Sequence, residues 1–253
     1  MRELTLTTVV ERTLSAGKQM KTERRLGIIG GLGTETSCTF CLNVNNKFRQ
    51  TINQQPDIVL ENLPVSVEAE RKIINGELGT EHFKLLVQAV KRLNNAGVDC
   101  IAIPCNTVHV FLPELRKLSN KPVLSIMEEC AKECKKMNVK NVGLLASATT
   151  VKSRLHADEL KKHGIILLVP GKKDQQIINQ TIIKILHNTA GEKDRQNLLA
   201  IIDKLRAQGA EAVILGCTDL PLLISEASVP LIDTRSVLEN SAVQNLLEES
   251  PHA

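Results

Sequence analysis

A chain of 253 residues, 42% hydrophobic and 24% charged, has the composition of an ordinary water-soluble protein with one large domain or two small ones. Four Phe residues with no Trp or Tyr leave the core to aliphatic side chains and exclude the aromatic platforms on which single-stranded nucleic acids stack. The net charge of +4 is spread over interleaved basic and acidic residues, so no nucleic-acid partner is expected.

The segment 1–25 predicts neither a targeting sequence nor a membrane anchor. It has no apolar core of the secretory type, and no run in the chain approaches the roughly 20 apolar residues that span a bilayer. Glu3, Glu11 and Glu23 disagree with a transit peptide. We expect a poorly ordered or loosely docked extension with no membrane partner.

Seven cysteines, an odd number, do not indicate a disulfide framework, so a reducing cytoplasm is expected.

From Leu26 onward, short apolar runs alternate with longer amphipathic stretches. The runs predict strands at Leu26–Ile29, Ile58–Leu63, Cys100–Ile103, Val123–Ser125, Val142–Leu145, Ile165–Val169, Ala212–Leu215 and Leu231–Ile232. Helical spacing of apolar residues predicts helices at His82–Asn95, Met127–Met137, Ser153–His163, Asp174–His187 and Arg235–Leu247. This alternation predicts an α/β fold with mainly parallel sheets flanked by helices. Ligands of such sheets bind beyond the carboxyl ends of the strands.

The segments 97–105 and 209–217 repeat one pattern. Each begins with a helix-ending glycine, continues through an acidic residue and a buried strand, and reaches a cysteine eight positions after the glycine. A threonine follows each cysteine closely, and a strand led by Pro122 or Pro230 comes later. The repeat indicates an internal duplication and therefore two pseudo-symmetric domains. If the two halves face each other, their cysteines flank one cleft.

Turn-rich segments at Asn120–Pro122 and Ser228–Pro230 are the natural crossing points between the halves. We therefore predict a first α/β domain of residues 26–121 plus 229–253 and a second of residues 122–228. The C-terminal helix then returns to the first domain.

The matched cysteines, Cys105 and Cys217, are the strongest candidates for chemistry. Each follows a predicted strand, where backbone N–H groups and a helix dipole stabilise a thiolate. An isolated cysteine is most often a small buried apolar residue, but the matched placement of these two favours a function. The C-x-x-C at 38–41 lacks a second pair of metal ligands. Core or helix packing therefore accounts better for Cys38, Cys41, Cys100, Cys130 and Cys134.

The glycine loop at 30–34 follows the first predicted strand and precedes a helix. It lacks the third glycine of G-x-G-x-x-G and a Walker lysine, so it supports nucleotide binding only weakly. Its N–H groups can hold a carboxylate equally well, and Ser147, Thr149 and Thr150 offer similar groups in the second half. Turn and capping roles explain both loops as well as ligand binding does. His109 is either a partner of the Cys105 thiol or an ordinary packed residue.

Taken together, the segments 27–36, 104–109, 216–219 and 230–234 resemble the signatures of the aspartate/glutamate racemase family, and of aspartate racemases most of all. The resemblance covers nearly everything after Arg25. It implies two pseudo-symmetric domains with the active site in the interdomain cleft, no cofactor and no metal. It also implies a homodimer that racemises a small acidic amino acid, aspartate or glutamate.

The same resemblance assigns roles to residues of this chain. Cys105 and Cys217 become the two acid/base thiols, one on each side of the substrate α-carbon. The substrate carboxylates are then held by backbone and side-chain groups of Gly33, Thr34, Arg71, Asn106, Thr107, Thr150 and Thr218.

Two positions depart from the family pattern. The stretch 62–72 has no Asp-Arg pair of the kind that aspartate racemases carry, and Arg71 is the nearest candidate. At the position where the family carries a lysine, this chain has Gln176.

Related enzymes, of the hydantoin racemase, maleate isomerase or arylmalonate decarboxylase type, are therefore alternatives. So is a non-catalytic binder of an acidic metabolite. A decarboxylase needs only one essential cysteine, so the pair argues against it.

Overall fold

Two parallel sheets, one in each half of the chain, form the framework of the protein. The computed structural model describes residues 24–75, 77 and 79–248, so the predicted extension lies almost entirely outside the described residues. The strands are β1 (Arg25–Gly30), β2 (Asp57–Asn62), β3 (Cys100–Ala102), β4 (Asn141–Ala146), β5 (Ile166–Leu168), β6 (Ala212–Gly216) and β7 (Leu231–Asp233). The first sheet has the order β2-β1-β3 and the second the order β5-β4-β6-β7. Every strand pair is parallel, as predicted.

Helices connect the strands on both faces of each sheet. They are α1 (Thr34–Ile52), α2 (Val67–Asn75), α3 (Thr80–Asn95), α4 (Leu112–Leu118), α5 (Ile126–Lys136), α6 (Ala148–Lys152), α7 (Leu155–Lys162), α8 (Lys172–Leu186), α9 (Glu192–Ala207) and α10 (Thr234–Leu247). Each helix predicted from the periodicity is present. The helix predicted from Ser153 is α7, which begins at Leu155. Arg154 adopts left-handed backbone angles, and this break separates α7 from α6. No helix in the described part of the chain has the length and apolar character needed to cross a bilayer.

The predicted strand at Val123–Ser125 was wrong in extent, although its position in the sheet was right. Only Val123 pairs, through an isolated parallel bridge to Ile101 of β3. Ser125 instead caps α5, where its hydroxyl accepts a hydrogen bond from the Glu128 N–H, so the strand cannot continue. Val123 therefore occupies the place in the first sheet that β7 occupies in the second. The two sheets share one strand order, as a pseudo-symmetric α/β fold requires.

The last crossing of the chain comes later than Ser228–Pro230. β7 pairs with β6, with Leu231 opposite Val213, so residues 231–233 belong to the second sheet and not to the first unit as predicted. The reason is that β7 adds to the exposed edge of β6 before the chain returns. From Thr234 onward α10 packs against α1 and α5, which agrees with the predicted return of the C-terminal helix. The remaining division into two domains stays a prediction.

Aliphatic side chains form a core in three layers. The middle layer runs between the two halves and joins residues of both sheets, including Ile28, Leu144 and Ile214, to residues of α1, α5 and α10. The outer layers lie under α3 and α4 on one side and under α8 and α9 on the other. Each fully buried aliphatic side chain stabilises the fold by about 1.5–3 kcal/mol. The shared middle layer fixes the carboxyl ends of the two sheets relative to each other.

Candidate active site

A cleft lies between the two halves, beyond the carboxyl ends of β1, β3, β4 and β6. Its empty volume, including its mouth, is about 480 Å³. The loops after these strands supply its polar lining, which consists of Gly33, Cys105, Asn106, Thr107, Ser147, Gly216, Cys217, Thr218 and Asp219. The aliphatic lining consists of Leu32, Ile73, Ile74, Ile182 and Leu186. The cleft is thus in the position expected for a ligand site in parallel sheets.

The two matched cysteines face this cleft from opposite halves. Cys105 follows β3 and Cys217 follows β6, and both are half-buried in its lining. The electrostatic effect of Cys105 contributes to raising the pKa of Cys217. The repeat in the sequence therefore corresponds to a pair of thiols that share one cavity.

Asp219, which the sequence analysis did not single out, is a buried carboxyl beside Cys217. Its Oδ2 accepts a hydrogen bond from Cys217 Sγ at 3.5 Å, and its Oδ1 accepts one from the Thr36 hydroxyl. Burial raises the pKa of Asp219, while the hydrogen bonds from Thr36 and Cys217 oppose that rise. Burial, and then the charge of Asp219, raise the pKa of Cys217 well above its ordinary value. Cys217 is accordingly a protonated thiol at neutral pH.

Replacing Asp219→Asn removes the negative charge next to Cys217 while keeping the shape of the side chain. We expect the thiol pKa of Cys217 to fall, because a like charge at this distance disfavours the thiolate. The measurement is the pH dependence of Cys217 alkylation by iodoacetamide, followed on its peptide by mass spectrometry in a Cys105→Ala background. Asp203→Asn, outside the cleft lining, is the control and should leave the midpoint in place. An unchanged or higher midpoint in Asp219→Asn would contradict this assignment.

Three hydroxyl groups cluster where the two halves meet at the cleft, one from the first half and two from the second. Thr107 Oγ1 lies 3.1 Å from Ser147 Oγ and 3.0 Å from Thr150 Oγ1, and the last two oxygens are 3.0 Å apart. Thr107 and Ser147 reach the lining, whereas Thr150 is buried behind them. Hydroxyls can rotate to donate, so this cluster can hold the carboxylate of a ligand. The structure thus brings the predicted residues Thr107 and Thr150 into one hydrogen-bonded cluster with Ser147.

Asn106 is held in place by a buried hydrogen-bond chain. Its Nδ2 donates to Thr234 Oγ1 at 3.0 Å, and the Thr234 hydroxyl donates to the Leu215 carbonyl at 2.8 Å. On the other side His156 Nε2 donates to Asn106 Oδ1 at 3.0 Å. Burial lowers the pKa of His156 to about 3, so this ring is neutral. A neutral histidine with a fixed tautomer orients Asn106 without adding charge to the cleft.

His109 supports the backbone of Cys105 and not its thiol. Its Nδ1 donates to the Cys105 carbonyl at 2.8 Å, and its Nε2 accepts from the Ile126 N–H at 3.2 Å. Burial lowers the pKa of His109 to about 4. Of the two interpretations of this residue, the packed and neutral one holds, with both ring nitrogens occupied by backbone groups.

The remaining predicted substrate-binding residues divide into two groups. Gly33 and Thr218 line the cleft, and the Thr218 hydroxyl donates to the Pro104 carbonyl at 3.1 Å, which links the loops of the two halves. Thr34 is exposed at the start of α1 and Arg71 is exposed on α2, and neither is in the lining. The role of Thr34 stays a prediction, and the inward-facing hydroxyl of this turn is that of Thr36, which donates to Asp219.

Arg71 is exposed and lies outside the lining of the cleft. Ile73 and Ile74, on the same helix, line the cleft, whereas Arg71 Nη2 lies 3.3 Å from His187 Nε2, next to the lining residue Leu186. On α8, too, the predicted position is one residue away from the glutamine that hydrogen-bonds to β4. Gln176 is exposed, and Gln175 is the glutamine whose Nε2 donates to the Ala146 carbonyl, at 2.8 Å. The assignment of the family lysine position to Gln176 therefore chose a residue that faces solvent.

The other cysteines lie outside the cleft lining. Cys100, Cys130 and Cys134 are buried in the core, as predicted, and burial raises the pKa of Cys100 to about 12 and that of Cys134 to about 11. Cys38 is exposed and Cys41 half-buried, both on α1. Among the described residues, no group of three or more His, Cys, Asp and Glu side chains is arranged to hold a metal ion.

Comparisons with known proteins agree with this fold. Residues 29–242 match the family model described as Asp/Glu/Hydantoin racemase. The broad specificity amino-acid racemase RacX of Bacillus subtilis (strain 168) is 28% identical over 88% of this chain and 98% of its own length. Picrophilus torridus aspartate racemase superposes with a TM-score of 0.74 at 26% identity, over 88% of this chain and 94% of its own. An aspartate racemase homologue from Pyrococcus horikoshii OT3 superposes with a TM-score of 0.73 at 25% identity, over 89% and 100%.

Proposed function

This chain belongs to the Asp/Glu/hydantoin racemase family, and we propose that it racemises a free amino acid without a cofactor, by proton transfer between Cys105 and Cys217 and the substrate α-carbon. The observation that carries the proposal is the placement of one thiol from each half in a single cleft. A racemase must remove a proton from one face of Cα and deliver another to the opposite face. Two thiols on opposite walls meet this requirement with groups of equal chemistry.

The environment of Cys217 supports a protonated thiol on one side of the substrate. Cys217 is held protonated by burial and by Asp219, so it is ready to act as the acid. Cys105 then acts as the base in that direction. As its thiolate takes the proton from Cα, the C–H electron pair moves into the adjacent carboxylate. Cys217 gives its proton to the opposite face of Cα and is left as the thiolate, which is the starting state for the reverse reaction.

The hydroxyl cluster of Thr107, Ser147 and Thr150 supports the binding of the α-carboxylate. These groups lie within 3.1 Å of one another, so a carboxylate that replaces their mutual hydrogen bonds receives several donors at once. Charge builds up on the carboxylate in the transition state. Donors that are already in place stabilise this charge more than water does.

The resemblance to aspartate racemases makes aspartate and glutamate the expected substrates. A homodimer and a cytoplasmic location are further expectations from the sequence. Light scattering of the purified chain tests the first, and fractionation of the source cells tests the second. Neither bears on the two-cysteine mechanism within one chain.

The test of the proposed function is deuterium incorporation at Cα in heavy water, followed by NMR with purified protein and no added cofactor. Free amino acids of both configurations are supplied, and chiral chromatography measures inversion in parallel. We expect exchange accompanied by inversion. Thermal stabilisation by an amino acid without exchange would instead favour the non-catalytic binder, because ligand binding alone raises the stability of the native state.

A further inference from the structure

Two helices form an aliphatic roof over the polar floor of the cleft. α2 of the first half contributes Ile73 and Ile74, and α8 of the second half contributes Ile182 and Leu186. The Thr149 hydroxyl donates to the Ile73 carbonyl and so ties the end of α2 to the second half. The ligand groups that reach the floor can be polar. Whatever projects from them towards the roof meets methyl and methylene groups.

The charged side chains of α2 and α8 named below are outside the described lining of the cleft. Arg71 contacts His187, Lys72 pairs with Glu68 at 2.9 Å, and Lys184 pairs with Asp194 at 2.6 Å. Within the described residues, the lining of the cleft contains no Lys, Arg or His side chain. Arg235, whose charge acts on Asp219, lies on α10 outside that lining, between Asp233 and Glu239.

The only carboxyl in the described lining is Asp219, and it adds negative charge to the cavity. An acidic substrate side chain would lose its water here without gaining a cation, and it would also face Asp219. Burying an additional ionised carboxylate beside Asp219 without a cation next to it is unfavourable. The α-ammonium and α-carboxylate of an amino acid, in contrast, each find a match. Asp219 offers an acceptor for the ammonium, and the hydroxyl cluster offers donors for the carboxylate.

We infer that the substrate of this site is a zwitterionic amino acid with a neutral aliphatic side chain, which packs against Ile73, Ile74, Ile182 and Leu186. This inference rests on the proposed racemase function and replaces the acidic substrate that the resemblance implies. The apolar side chain gains affinity from the area that it buries against the roof. The specificity-determining contacts then come from α2 and α8, whereas the chemistry comes from the strand ends.

The experiment compares kcat/KM for Cα deuterium exchange with leucine, valine, methionine, aspartate and glutamate, each as both enantiomers. We expect leucine or methionine to exceed aspartate and glutamate by about 100-fold or more, because only the acidic side chains bury an unpaired charge. Faster exchange with aspartate or glutamate would overturn the inference and leave the racemase proposal intact. Absence of exchange with all five would overturn the proposed function itself.

A variant of the roof tests which residues contact the side chain. Leu186 is partly exposed, so Leu186→Arg can place a guanidinium at the edge of the cleft without burying it fully. We expect the ratio of kcat/KM for aspartate over leucine to rise at least about tenfold, because the new cation pairs with the acidic side chain. Leu186→Met keeps the wall apolar and should leave the ratio near that of the wild type. An unchanged ratio in a folded Leu186→Arg protein would mean that α8 does not contact the substrate side chain.

Discussion

Replacement of either cleft cysteine, Cys105→Ala or Cys217→Ala, is expected to lower the rate of racemisation by about 10²–10⁴-fold, the usual contribution of one general acid or base. Inversion needs a proton donor on the face opposite the base, and each variant lacks one of the two groups. The measurement is the rate of inversion by chiral chromatography. Full racemisation in either variant would exclude the two-base scheme.

The two cysteine variants should also differ from each other in a way that simple inactivation would not produce. A remaining thiolate can take a proton from one enantiomer and return a deuteron to the same face, which gives exchange without inversion. We therefore expect residual Cα exchange of opposite enantiomers in Cys105→Ala and Cys217→Ala. Cys38→Ala, on the surface, and Cys134→Ala, in the core, are the controls and should racemise at the wild-type rate.

The second large effect is expected at Gly31, in the loop that carries Leu32 and Gly33 into the cleft. Gly31 has a φ of +85°, and a Cβ added there would lie 2.2 Å from the Leu63 carbonyl oxygen and 2.5 Å from its nitrogen. Left-handed backbone costs an alanine about 1–2 kcal/mol, and forcing atoms into a packed site costs about 1–3 kcal/mol more. Gly31→Ala should therefore lower the free energy of unfolding by about 2–5 kcal/mol. Urea denaturation measures this change.

Gly97 provides a matched control for Gly31. It too has a positive φ, +68°, but an added Cβ would meet no atom within 4 Å. Gly97→Ala should therefore show the backbone cost alone, about 1–2 kcal/mol. The difference between the two variants isolates the close approach of the Gly31 loop to Leu63. Equal losses in both would mean that the loop can move away without cost.

The sequence by itself determined the seven strands of the two sheets, five of the ten α-helices described above and the matched placement of the two cysteines at strand ends. Apolar periodicity reports on buried faces, and this local signal is independent of how the halves meet. The repeat from Gly97 to Cys105 and from Gly209 to Cys217 placed each cysteine at a strand end. Because parallel strands present their carboxyl ends at one edge of a sheet, each thiol could be assigned to a ligand-binding edge, whereas their sharing one cleft depended on the halves facing each other.

The tertiary structure alone decided which other side chains reach the cleft. Thr36 and Asp219 are 183 positions apart and meet only because the halves dock, so no local pattern indicated their contact. Arg71 had the right chemistry for an acidic substrate, yet its guanidinium contacts His187 and lies outside the cleft lining, to which the same helix contributes Ile73 and Ile74. Periodicity fixes the relative angle of residues on a helix but not the direction in which the helix faces. Packing between the halves sets that direction, and with it the aliphatic roof that determines which side chain the site can accept.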